Sequence, residues 1–255
     1  MTTIKTAQEI ESIRRSGQML AEVLKHLKGQ VKAGVSSKDL ADQAKQKLKS
    51  LGGKPAFLGY QGFPDVLCVS INDEVVHGIP AKNRTLKNGD IVSLDFGIVY
   101  KGMITDAAIT VIVGATSDNK VSNLIKATET AMYKGIEQVK DGSRVGDIGA
   151  AVQKELEKYN LGIVRDLVGH GVGHNLHEEP NIPNFGSSHT GPILKAGMTI
   201  AIEPMATLGG FKVFVEKDGW TVKTQDGSKS AHFEHTILVT KDGSEILTLL
   251  ADEQV

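Results

Sequence analysis

Val31-Lys32-Ala33-Gly34 recurs as Val139-Lys140-Asp141-Gly142, 108 positions further along the chain. In that register Asp39-Leu40 falls on Asp147-Ile148, and Leu48 falls on Leu156. Much later Leu86-Lys87-Asn88-Gly89 recurs as Leu194-Lys195-Ala196-Gly197, and Asp95 lands on Glu203. Each match is weak alone. Two separated matches in one register point to a duplicated α/β unit, with halves of about 1–115 and 116–255 and a pseudo-twofold between them. A site at the seam would draw one acid from each half.

The local signals fit such a unit. Thr6-Ala7-Gln8-Glu9 is a capping box. It opens a helix on which Ile10, Ile13, Leu20, Val23, Leu24 and Leu27 follow the helical period. A second helix is expected from Ser37 to Leu51, ended by Gly52-Gly53. Asp118 to Lys140 and Val145 to Tyr159 are their counterparts. Strands are expected at Leu67 to Ile71, Ile91 to Val99, Met103 to Val113, Thr199 to Ile202 and His232 to Val239. Nothing reads as a separable linker, and the stretch from Pro180 to Gly197 reads as a loop carrying function.

Composition narrows the class. The chain has 255 residues, 40% of them hydrophobic, enough to bury a sizeable core. A net charge of −1 and 5% aromatics argue against nucleic acid or an anionic membrane as partner. The single cysteine, Cys68, allows no internal disulfide and favours a reducing compartment. The polar N-terminus lacks the apolar core of a signal peptide, and no apolar run is long enough to span a bilayer. A cytoplasmic location is expected.

The chemistry lies in acids set in apolar sequence. A hairpin turning at Tyr100-Lys101 would set Asp95 opposite Asp106, with Cβ atoms roughly 4.5–5.5 Å apart. Two half-buried carboxylates that close need a proton or a cation between them. The alternative is two solvated acids flanking a turn. Glu203 follows Thr199-Ile200-Ala201-Ile202 and precedes Pro204, which favours an extended residue at a strand end. Glu234 reads as mid-strand, with His232 and Thr236 on its face. Gly169-His170-Gly171-Val172-Gly173-His174-Asn175-Leu176-His177-Glu178-Glu179-Pro180 adds three histidines among glycines that a helix or central strand would tolerate poorly. Four carboxylates with one imidazole exceed one tetrahedral zinc. They suit two divalent ions with shared carboxylates and a water between them, and an oxygen-rich set of this kind favours manganese, iron or cobalt. Competing motifs fail. His177-Glu178 is followed by Pro180 and Asn181 rather than a second zinc-binding histidine. No nucleophile elbow or phosphate loop is present, and Cys68 lies in an apolar run as a wall residue.

These motifs together resemble a known family. Ser70-Ile71-Asn72-Asp73-Glu74-Val75-Val76-His77-Gly78-Ile79-Pro80, the acidic hairpin and the 169–180 segment carry the resemblance. Glu203-Pro204-Met205, Asp218-Gly219-Trp220-Thr221-Val222-Lys223-Thr224 and Ser230-Ala231-His232-Phe233-Glu234-His235-Thr236 complete it. Over nearly its full length the chain is similar to type I methionine aminopeptidases of the bacterial kind. The resemblance implies an α+β pita-bread fold, a single catalytic domain with two pseudo-symmetric α/β halves around a central antiparallel sheet.

It also implies roles. Asp95 would chelate one metal, His170 and Glu203 the other, and Asp106 and Glu234 would bridge both. The pair would be two divalent ions drawn from cobalt, manganese, iron, zinc or nickel. A bridging water or hydroxide would attack the first peptide carbonyl, with Glu203 shuttling its proton and His77 and His177 stabilising the tetrahedral intermediate. Phe57, Tyr60, Phe63, Cys68, Leu176 and Trp220 would bind the methionine side chain. Some relatives have cysteine, tyrosine and an aromatic at the positions of Phe57, Phe63 and Leu176, so the pocket shape differs here. His174 and His189 match no catalytic position and read as loop residues. The implied substrates are nascent polypeptide N-termini and short peptides with a small second residue, met by a monomer, with transient ribosome association suggested by the family role alone. Thr2 is small, so the chain's own Met1 is expected to be removed. The chain begins almost directly with the catalytic fold, and neither an N-terminal zinc-binding extension nor a type II helical insertion is expected. An X-Pro aminopeptidase or dipeptidase, and a non-catalytic binding protein on the same scaffold, are the alternatives.

Overall fold

The computed structural model describes residues 3–250, so the expectation for Met1 and Thr2 lies outside the described residues. Four long helices and a set of antiparallel strands make up the described residues. Helix α1 (Ala7–Lys28) starts where the capping box places it, with Thr6 Oγ1 accepting from Glu9 N and the Glu9 carboxylate accepting from Thr6 N. Helix α2 (Ser37–Leu51) repeats the device with Ser36 and Asp39. Helices α3 (Asn119–Ile136) and α4 (Val145–Glu157) are shorter than expected from periodicity. The last turn of α3 tightens into short-range bonds, Gln138 N to Gly135 O and Val139 N to Ile136 O, before the 139–142 turn.

The repeat is visible as duplicated hydrogen bonds. Gly34 N donates to Leu86 O and Gly142 N to Leu194 O, each at 2.9 Å. Leu86 N donates to Val35 O at 2.9 Å, and its counterpart Leu194 N to Ser143 O at 2.7 Å. Strands Ile91–Tyr100 and Thr199–Ile202 begin at equivalent positions, as do α2 and α4. In the first half, Ile91–Tyr100 runs between Met103–Ile112 on one side and Cys68–Ile71 and Lys54–Pro55 on the other. In the second, Thr199–Ile202 lies between His235–Val239 and Gly169–Gly171.

Each half has its own core. Leu20, Val23, Leu27, Leu40 and Leu48 pack on Leu94 and Phe96. Leu124, Met132, Ile148 and Val152 pack on Ile200, Ile202 and Ile237. Alternation then settles where Asp95 goes: Leu94 and Phe96 face the helices, so Asp95 faces the other side of the sheet.

The seam is a ladder completed by side chains. Ala108 and Glu234 exchange both backbone bonds, at 3.2 and 2.9 Å. On either side threonines stand in for backbone groups. Thr236 Oγ1 accepts from Asp106 N and donates to Asp106 O. Thr110 Oγ1 accepts from His232 N and donates to His232 O. The backbone N–H and C=O of Asp106, Ala108, His232 and Glu234 are thereby paired at this buried joint.

Candidate functional site

The acidic hairpin has a different register from the one expected. Tyr100 pairs with Met103, so the turn residues are Lys101 and Gly102, with φ of 49° and 80°. A two-residue hairpin turn of this hand needs positive φ at both positions, which Lys-Gly meets at lower cost than Tyr-Lys. Asp95 therefore pairs with Ala108, and Gly97 with Asp106. The slip is two residues, so both acids keep the same face but become diagonal neighbours with more room between them.

Glu234 is not mid-strand. Strand pairing stops at Phe233-Glu234, between Ser230–His232 and His235–Val239. The opposing chain explains the gap. Ile202 faces His235 and Met205 faces His232, a single register that sets Glu203 against Glu234 and Pro204 against Phe233. Proline has no N–H to give the ladder, so pairing lapses there. Released from the local ladder, the Glu234 backbone bonds across the seam to Ala108, which brings its carboxylate beside Asp106.

Gly169–Gly171 is a strand inside the five-stranded sheet, contrary to the expectation from its glycines. The neighbouring strands come so close that a Cβ on Gly169 would lie 2.3 Å from Ala201 O, and one on Gly171 2.4 Å from Glu179 O. Only glycine fits. His170, between them, has Nδ1 2.8 Å from Gly171 O. An Nδ1–H donated to that carbonyl leaves the Nε2 lone pair facing the acids. Nε2 lies 3.4 Å from Glu203 Oε1. Ligand atoms of Asp106, His170 and Glu234 lie within 4.8 Å of one another.

All residues named from the sequence line one cleft of about 150 Å³: Asp95, Asp106, His170, Glu203 and Glu234 at its floor, His77 and His177 beside them, and the apolar set around them. Phe57, Phe63, Cys68 and Leu176 are buried and packed together with Tyr60 and Trp220. Phe63 meets Phe57 and Trp220 edge to face, with ring centroids 6.4 and 5.1 Å away. Burial pushes the Cys68 thiol up, so it is an unreactive wall. His174 pairs with Glu9, and His189 lies exposed near Asp147. The stretch from Pro180 to Gly197, expected as a loop carrying function, begins inside the strand Glu178–Ile182 and supplies no residue of the cleft lining. It packs by the N-terminus of α4, and Asn184 braces the site from behind, donating to the backbone Glu203 O.

Two further residues belong here that sequence reading did not assign. Gln61 lines the cleft with a left-handed backbone, φ 47°. His232 is buried with Nε2 3.6 Å from Glu203 Oε2, and neither ring nitrogen has a hydrogen-bond partner. Its position two residues before Glu234 was the available signal.

The His177 loop is clamped from behind. Glu178 Oε1 accepts from His174 N and Asn175 N, while Oε2 bonds Lys5 Nζ at 2.7 Å. Both side chains are nearly inaccessible, at 1% and 6% exposure. Burial alone would raise the Glu178 carboxyl, but Lys5 and the two N–H groups hold it below its usual value.

Electrostatically the floor is frustrated. Burial, then the neighbouring carboxylates, pushes Asp95, Glu203 and Glu234 well above the usual range. Burial pushes Asp106 up to about 7. The histidines go the other way: burial holds His77 at about 4, and His170 and His232 at about 3. No lysine or arginine is among the described lining residues. Asp95 Oδ1, Asp106 Oδ1 and Glu234 Oε1 are buried without hydrogen-bond partners. Buried acids, orphaned oxygens and neutral imidazoles form a donor set that fits divalent metal.

Comparison with known proteins agrees with that chemistry. The model of metallopeptidase family M24 matches residues 11–241. The chain belongs to that family, among its methionine aminopeptidases. It is 47% identical to the methionine aminopeptidase of Aquifex aeolicus, covering 95% of this chain and 97% of that one. It is 44% identical to that of Clostridium acetobutylicum, covering 98% and 99%. The crystal structure of the Thermotoga maritima methionine aminopeptidase superposes with a TM-score of 0.96 at 46% identity, over 98% of this chain and all of that one. The prolidase of Pyrococcus furiosus shares the fold at a TM-score of 0.77 and 23% identity, with 96% of this chain covered but only 65% of the prolidase. The pita-bread architecture expected from the sequence is thus the observed one, and the protein is a metallopeptidase. Among the described residues no helix is long and apolar enough to cross a membrane.

Proposed function

We propose that this enzyme removes the N-terminal methionine from peptides and newly made proteins whose second residue is small, with two divalent ions at the cleft floor. The observation that carries the reading is the junction within one cleft of the buried acid-histidine cluster and the apolar pocket. Asp95 would hold one ion, His170 and Glu203 the other, and Asp106 and Glu234 would bridge them. When bound, the metal pair supplies Lewis acidity toward the scissile carbonyl and activation of water at neutral pH.

The chain's own groups do the rest. Phe57, Phe63, Cys68, Leu176 and Trp220 offer a soft apolar wall to the methionine side chain, with aromatic edges for its sulfur. Glu203, whose carboxyl is raised by burial, is suited to take and return a proton. His77 and His177 are suited to donate hydrogen bonds to the scissile amide and to the oxygen on which charge develops. Residues 1–255 would act as one catalytic domain and as a monomer, in the cytosol, with transient ribosome contact where new N-termini emerge.

The test is methionine release from Met-Ala-Ser, Met-Pro-Ala and Met-Leu-Ser, by manganese- or cobalt-loaded protein with and without chelator. Metal-dependent release, much faster from the alanine than the leucine peptide, is expected. No release with metal binding verified would overturn the reading in favour of a binding protein. Cleavage confined to the proline peptide would shift it to an X-Pro peptidase.

A further inference from the structure

We propose that Tyr60 is a positioning residue that holds His177 in the Nε2–H tautomer, so that its ring meets the substrate as a hydrogen-bond donor. The inference rests on the reading of His177 as a donor to the reacting amide. Tyr60 Oη lies 2.7 Å from His177 Nδ1, with the ring centroids 5.4 Å apart. That contact alone is ambiguous, because a phenol can donate or accept and so can a ring nitrogen. Gln61 favours one assignment. Its Nε2 donates toward Tyr60 Oη at 3.4 Å. That contact occupies acceptor capacity of the phenol oxygen and leaves its single O–H free to point at His177. The assignment that uses it makes Nδ1 the acceptor and places the proton of the neutral ring on Nε2.

The backbone around Tyr60 is shaped to bring the two side chains together. Tyr60–Gly62 is a single tight turn in which Gln61 sits at φ 47° and ψ 23°. A non-glycine residue in that region is held at a cost, and here it turns the Gln61 amide back onto the phenol of its own neighbour. Across the cleft the His170 ring meets His177 at 69°, with centroids 4.3 Å apart. His170 donates Nδ1–H to Gly171 O, which leaves its Nε2 as a lone pair. Two touching imidazoles are thus set in opposite tautomers by different partners. One presents a lone pair for metal, and the other an N–H for substrate. If His177 took the tautomer of His170, its Nε2 would carry a lone pair and oppose a developing oxyanion instead of stabilising it.

The test is long-range proton–nitrogen NMR on histidine-labelled, zinc-loaded and metal-free protein, with His177→Asn used to assign the ring. Wild type is expected to show a protonated Nε2 and a bare Nδ1 on His177. Tyr60→Phe should mix the tautomers and lower kcat on Met-Ala-Ser roughly tenfold, as for loss of one hydrogen bond to a polar group. KM should stay within about twofold, since the phenyl ring still lines the pocket. Gln61→Ala, which keeps the phenol, should move both readouts the same way by less. A wild-type His177 protonated on Nδ1 overturns the proposal, as does a Tyr60→Phe enzyme with unchanged tautomer or unchanged kcat. If His177→Ala keeps wild-type kcat while the tautomer is as expected, the donor reading of His177 fails and the tautomer assignment survives.

Discussion

Replacing Asp106 by asparagine should make the metal-free protein gain on wild type as pH rises. In the folded protein burial pushes the Asp106 carboxyl from 3.8 up to about 7. At pH 6 the native state holds a proton there that the unfolded chain has already lost. That difference stabilises the native state, and the stabilisation disappears as pH passes through the folded value. For a carboxyl titrating near 7, the loss between pH 6 and 8 is about 1.4 kcal/mol, or about 3 to 6 °C in Tm for a domain of this size. Wild-type stability alone would hide it. Burial holds His77, His170, His232 and His235 low, so the unfolded chain binds more protons on them near pH 6 and they favour folding as pH rises. The variant carries the same histidines, so the difference between the two proteins cancels them. Asp95, Glu203 and Glu234 add in the same direction, because each loses a like-charged neighbour in the variant. Differential scanning calorimetry on chelator-dialysed wild type and Asp106→Asn at pH 6, 7 and 8 measures it. Parallel Tm curves, or wild type gaining on the variant, would refute the burial argument for the cluster.

Lys5→Met should cost about 3–5 kcal/mol in urea unfolding, because it leaves the buried Glu178 carboxylate unpaired; a loss below about 1 kcal/mol would mean that water reaches that carboxylate. His77→Ala and His177→Ala should each lower kcat by roughly 10²–10³ while bound metal, measured by atomic emission, is unchanged; wild-type turnover in both would remove them from catalysis. Metal binding should slow amide hydrogen exchange most at Ala108 and Glu234, whose paired N–H groups close the seam beside the acids; protection spread evenly over both halves would contradict that local coupling.

What the sequence disclosed, and what it withheld, follows from the range of the forces involved. Thr6 with Glu9 marked a helix start correctly, since the cap closes within four residues. The repeat was legible because paired turns, such as those at Gly34 and Gly142, need the same residues at the same spacing. The hairpin register was misread by two, although Lys101-Gly102 carried the local signal for the turn. The break at Glu234 was not legible locally. It depends on Pro204, far away in sequence and opposite it in space. Gly169–Gly171 was misjudged for a similar reason: its strand is demanded by Ala201 and Glu179, which only the fold brings near. The four acids stood out from their apolar context, and the individual roles of acids and histidines were named through a multi-motif resemblance. Gln61 was missed because its contribution is a backbone conformation and one contact with a neighbouring side chain.

The repeat also separates what is duplicated in the site from what is not. Asp95 and Glu203 are equivalent positions, at or just past equivalent strands. From there the halves diverge. The first half turns back at once through Lys101-Gly102, and its strand returns carrying Asp106. The second half replaces that two-residue turn with the excursion 204–233 before its strand returns with Glu234. The excursion builds two three-stranded sheets, one of which recruits Glu74–Val76 from the first half just before His77. Between Val213–Val215 and Val222–Thr224 it carries Trp220 to the cleft wall, with its ring 5.1 Å from Phe63 and 6.2 Å from His77. The duplicated framework therefore brings paired acids from both halves to one seam, where their mutual repulsion calls for cations. The unduplicated excursion supplies a wall that only one half has. On the proposed function, metal chemistry at this site would follow from the symmetry of the chain, and selectivity for one side chain from the place where that symmetry is broken.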